Sequence, residues 1–123
     1  MPRKARWLLV CAAILVAGAF AVAVRFPPGR DFDPDAWRQR EQAQDHAAAG
    51  MADRLVADST LRGMTRDEIV RMLGEPPRTS YFEDWDMVYW LGPERGYLGI
   101  DSEWLVIRLD AGKRVIEYGI VRD

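Results

Sequence analysis

The stretch Leu61–Pro77, LRGMTRDEIVRMLGEPP, decides how this chain folds. Thr65 followed three residues later by Glu68 reads as a capping box, in which each side chain accepts a hydrogen bond from the other's backbone N–H. Met64 before the cap and Ile69 at the fourth helical position form the matching hydrophobic staple. Ile69, Val70, Met72 and Leu73 supply a buried stripe, Gly74 suits the left-handed residue that ends a helix, and Pro76 and Pro77 prevent continuation. One short helix with both ends marked is expected. Every one of these devices serves architecture, so Thr65 and Glu68 are read as capping residues rather than catalytic ones.

Downstream the hydrophobic period changes from helical to two. Three strands are readable, at about Asp84–Leu91, Ser102–Asp110 and Arg114–Val121, the last two joined by the Gly-containing turn Asp110-Ala111-Gly112-Lys113. Alternation puts Trp85, Met87, Tyr89 and Leu91 on one side of the first strand, with Leu105, Ile107 and Leu109 and then Ile116, Tyr118 and Ile120 beside them. That side should meet the helices. The opposite side carries Asp86, Val88 and Trp90, then Trp104, Val106 and Arg108, then Val115, Glu117 and Val121, too apolar a set to face water uncovered. Either the loop Gly92–Asp101 covers it or a partner protein does. Because Trp and Arg dominate interface hot spots, Trp90, Trp104, Val106, Arg108 and Glu117 form the candidate interaction surface.

Upstream, Arg25–Asp33 (RFPPGRDFD) has the prolines and glycine of a spacer. Asp33 can cap a helix, Pro34 suits its first position, and Asp35 sits where a carboxylate favours the helix dipole. A helix over Pro34–Ala57 is expected, with its second half docked and its first half, diluted by Arg40, Glu41 and Gln44, serving as a stalk. Before the spacer, Trp7–Val24 is 18 residues without a charge, preceded by Arg3, Lys4 and Arg6. It reads as a membrane-engaging helix with its N-terminus in the cytoplasm. Retention as an anchor in the inner membrane and cleavage at the A-x-A patterns of Ala19, Ala21 and Ala23 both remain open. Either outcome leaves the C-terminal domain in the periplasm. Lipid attachment at Cys11 lacks a lipobox, since Val10 stands where a small residue is needed. Three regions result: 1–25 as signal-anchor or signal peptide, 26–57 as spacer and amphipathic helix, and 58–123 as an ααβββ domain.

Composition narrows the chemistry. The first 25 residues hold four of the 17 bases and none of the 19 acids, so the remaining 98 residues carry a formal charge of −6. Such a body is a poor ligand for nucleic acid, whose affinity rests on Lys and Arg contacts to phosphate. Redox and metal chemistry have little to work with, because Cys11 and His46 are the only residues of their kinds. The loop GPERGYLGID opens no helix and lacks the lysine and hydroxyl of a P-loop. Glu83, Asp84, Asp86, Asp101 and Glu103 read as a solvated acidic rim, and no serine has a base within reach of the sequence pattern. No catalytic, cofactor-binding or metal site is assigned.

Residues 61–121 resemble the SmpA/OmlA (BamE-like) family of small envelope lipoprotein domains. The likeness is carried by Leu61, Gly63-Met64-Thr65, Ile69-Val70, Leu73-Gly74, Pro76, Trp85-Asp86, Tyr89, and Leu105–Asp110 before Gly112. It implies an α+β fold of two helices packed on a three-stranded antiparallel sheet, here preceded by an N-terminal membrane helix. It also implies no catalysis, and work by contact with other envelope proteins and with anionic lipid. The expected function is a membrane-tethered extracytoplasmic interaction module supporting outer-membrane assembly or envelope integrity. The alternative is a small periplasmic binding or inhibitor domain for a soluble protein or ligand.

Overall fold

The helix that begins at Thr65 forms as its sequence dictates and ties its neighbours together. In the computed structural model, which describes residues 29–43, 45–96 and 99–123, four helices precede three strands: α1 (Pro34–Arg38), α2 (Arg40–Ala43), α3 (Ala47–Ala57), α4 (Arg66–Leu73), β1 (Met87–Pro93), β2 (Ser102–Leu109) and β3 (Val115–Arg122). The Glu68 N–H donates to Thr65 Oγ1 at 3.2 Å and the Thr65 N–H to Glu68 Oε1 at 3.3 Å, completing the capping box. At the other end Gly74 takes φ 86°. The last carbonyls of a helix lack intrahelical donors, and at this end side chains supply two. Trp37 Nε1 donates to Leu73 O at 2.9 Å and the Tyr89 hydroxyl to Gly74 O at 2.7 Å, so α1, α4 and β1 meet at one point.

The sheet is antiparallel in the order β1-β2-β3. The fold is therefore α+β with a three-stranded antiparallel sheet. One face is sealed by the helices. Met87, Tyr89, Leu91, Leu105, Ile107 and Val115 share a core with Trp37, Met51, Leu55, Leu61, Ile69 and Leu73. The chain entering α1 crosses α3 so closely that a Cβ on Gly29 would lie 2.7 Å from Gly50 O, which explains a glycine at that crossing. The segment Gly63–Arg66 also pairs with the start of β3, through Val115 N–H to Met64 O at 2.9 Å and Arg66 N–H to Lys113 O at 2.9 Å.

Several expectations need correction. Pro34–Ala57 is three helices rather than one. The Arg40 guanidinium turns back onto Trp37 O at 3.0 Å, taking the carbonyl a continuous helix would use, and Asp45 accepts from the Ala47 N–H at 3.0 Å, starting a new helix locally. The first part is no stalk, since Trp37 is fully buried. Ile116 and Val115 exchange sides. A bulge between Arg108 and Leu109 pairs Arg108 with Glu117 but Leu109 with Val115, so Val115 enters the core and Ile116 is left 61% exposed. Trp85 lies before β1, in a turn closed by its N–H to Phe82 O, and sits on the face away from the helices. Trp7–Val24 lies outside the described residues, and among those described no helix is long and apolar enough to cross a membrane.

Candidate functional site

Strand parity predicts the outer face correctly in its centre. Register sets Val88 beside Val106, Trp90 beside Trp104, Trp104 beside Val121, and Arg108 beside Glu117. All five candidate interaction residues thus share one face, but their accessibility differs. Val106 is fully buried and Trp104 is 9% exposed. Arg108 lies 4.2 Å above the Trp85 ring and reaches Glu117 at 3.2 Å, so its charge is held within the face. Glu117 is exposed and Trp90 is half-buried.

Among the described residues, a third segment covers part of this face. Ile100 of the loop Gly92–Asp101 is 77% exposed, and Tyr97 and Leu98 fall outside the described residues. The cover is the strap that runs from Pro77 to Asp86. Pro76 and Pro77 end α4 and direct the chain across the outer face, where Tyr81 stacks on Trp104 with centroids 5.2 Å apart and Phe82 meets the same ring edge-on at 6.2 Å. Phe82 adopts φ 55°, a left-handed conformation that a bulky residue rarely takes. The strap is an imperfect lid, as Tyr81 remains 51% exposed. The sequence signal was present in Tyr81-Phe82-Glu83-Asp84-Trp85, three aromatics between helix and strand that an alternating pattern could not place.

Beside the strap lies a groove of about 400 Å³. Val88, Trp90 and Trp104 make its apolar floor, Pro77 and Thr79 one wall, and Glu41 and Arg78 its charged rims. Trp104 is fixed from behind by Nε1 donating to Asp123 Oδ2 at 3.3 Å. Arg40 donates from Nε to Trp90 O at 2.9 Å and lies 4.6 Å from the centroid of Trp37, which locks α2 against the edge of β1. Burial lowers the Arg40 pKa below the ordinary guanidinium value, against the opposing pull of Glu41.

The acidic residues serve structure where they have partners. Glu103 is no part of a solvated rim. It is 2% exposed, because the odd-numbered positions of β2 face the helices. Arg95 joins it at 2.8 Å and also pairs with Asp53 of α3. Burial pushes the Glu103 carboxyl up, but hydrogen bonds and charge from Arg95 outweigh it and hold the group below its ordinary value. Asp86 accepts from the Leu109 N–H at 2.7 Å. Among the described residues no group of three or more His, Cys, Asp or Glu side chains could hold a metal ion. A second hollow of about 520 Å³ at the start of α4 mixes Arg66, Arg71 and Lys113 with Asp67 and Glu68, and its helix N–H is already taken by Thr65.

Comparison with known protein families, with curated proteins and with solved structures finds no match to this chain.

Proposed function

We propose that this chain is a non-enzymatic, membrane-tethered module of the cell envelope that recognises another envelope protein through the outer face of its sheet. The observation that carries the reading is the groove beside the strap, where an apolar floor that includes Trp90 stays open beside charges of both signs, Glu41 and Arg78. A stabilising core alone explains the other face but gives no reason for this opening. The likeness of residues 61–121 to the SmpA/OmlA (BamE-like) domains supports a role in outer-membrane assembly or envelope integrity. Tethering follows from the uncharged run Trp7–Val24 behind Arg3, Lys4 and Arg6, which favours an inner-membrane anchor with the domain in the periplasm.

Two experiments test the parts separately. A phosphatase reporter active only outside the cytoplasm, fused after Asp123, should be active, and a silent but well-expressed fusion would refute the envelope location. A photo-crosslinking side chain at position 90 should give a discrete envelope-protein adduct that the same group at position 116 does not. Equal adducts from both positions would remove the groove as the recognition site.

A further inference from the structure

We propose that the groove takes an extended peptide of the partner protein that presents one aromatic side chain together with one basic and one acidic residue. This rests on the reading of the outer face as a recognition surface and specifies what it recognises.

The tryptophans carry the first part. Trp37 packs with Phe32 and Tyr89, Trp104 with Tyr81 and Phe82, and Trp85 lies under Arg108. Among the described residues Trp90 alone of these has no aromatic or cationic group on its ring, and it forms part of the groove floor. The protein itself demonstrates what such a ring accepts, because Tyr81 is stacked on the neighbouring Trp104 with an interplanar angle of 29°. Offset or edge-on aromatic contacts are worth about 0.5 to 1.5 kcal/mol beyond simple burial.

Charge carries the second part. Glu41 and Arg78 stand exposed on the rims, and neither forms an ion pair among the described residues. Opposite rim charges select a ligand of mixed charge. A phosphate-bearing ligand would gain from Arg78 but be repelled by Glu41, so nucleic acid and anionic headgroups are disfavoured. The site is also prearranged. Arg40 fixes the backbone next to Glu41 against Trp90, Pro77 stiffens the wall next to Arg78, and Asp123 holds Trp104. A groove of this rigidity orders the peptide and little of itself, which favours affinity. Its volume of about 400 Å³ matches one large side chain with short main-chain arms.

The test is selection of a random 12-residue peptide library on the full-length chain in detergent micelles, followed by affinity measurement of the enriched peptides. The expected consensus is an aromatic residue accompanied by one Lys or Arg and one Asp or Glu. Trp90→Ala, with its unfolding midpoint checked, should weaken binding at least tenfold. Glu41→Lys should do the same, and exchanging the peptide's basic residue for Glu should restore it. Trp90-dependent peptides without the charge pattern would overturn this proposal and leave the recognition surface standing. An absence of Trp90-dependent peptides, or Trp90-dependent sedimentation with anionic vesicles in their place, would overturn this proposal and the peptide-binding role together.

Discussion

The same three strands present one face to the helices and the other to the strap, and the two are closed by different means. Beneath the helices the side chains of Trp37, Tyr89, Leu105 and Ile107 are wholly buried, and Leu73 O and Gly74 O at the end of α4 find side-chain donors. Beneath the strap two aromatic residues do most of the covering, one of them half in water, and a groove stays open at Trp90. A face closed by packing and hydrogen bonds together serves stability. A face closed by a single irregular segment leaves apolar surface open.

The largest expected effect sharpens that contrast. Trp37→Ala removes a fully buried side chain and strands Leu73 O, so chemical denaturation should show a loss of about 3 to 5 kcal/mol. A loss below about 1 kcal/mol would mean that α1 is only loosely docked.

Glu103→Gln tests the seam where Arg95 links β2 to α3. Hydrogen bonds to charged groups contribute about 1.5 to 3 kcal/mol, and the lower end is expected because Arg95 and Asp53 reach solvent. The sign with pH is fixed by the lowered carboxyl pKa. Its contribution is present above the usual value of about 4.3 and lost as pH falls through the folded-state value. The wild type and the variant should therefore converge in stability on acidification. A constant gap from neutral pH to below 3 would show that this carboxylate's ionisation contributes nothing.

Much of the helix-covered face was legible because its signals are local. Thr65 and Glu68 act within one turn and close the capping box, Met64 and Ile69 both reach the core, and Gly74 takes a positive φ, though its ψ of 169° lies outside the left-handed helical region expected of it. Thr65→Ala should accordingly lower stability by about 0.5 to 2 kcal/mol, the usual range for N-cap loss. An unchanged denaturation midpoint would place the helix start elsewhere. The outer face was legible only in its central pairs. Ile116 and Val115 were misplaced because a bulge shifts parity by one residue, an event that alternation cannot foresee. The break near Arg40 depends on a guanidinium reaching both Trp37 O and Trp90 O, the second a contact across 50 positions of sequence. The burial of Glu103 needs Arg95 and Asp53, whose side chains meet only through the fold and share no local pattern. The groove joins α2, the strap and two strands, so no single window of sequence contains it.

The strap should contribute least. Tyr81→Ala removes a half-exposed ring stacked on Trp104 and should cost about 0.5 to 1.5 kcal/mol with an unchanged denaturant slope. A larger loss accompanied by a changed slope would mean that the strap holds the whole outer face in place.

The most direct measurement is equilibrium unfolding of Trp90→Ala beside Trp104→Ala. If the outer face combines a buried support with an open recognition group, Trp104→Ala should lose about 3 kcal/mol or more and Trp90→Ala only about 1 kcal/mol. Equal, large losses would make Trp90 a core residue and contradict the assignment of the groove to recognition.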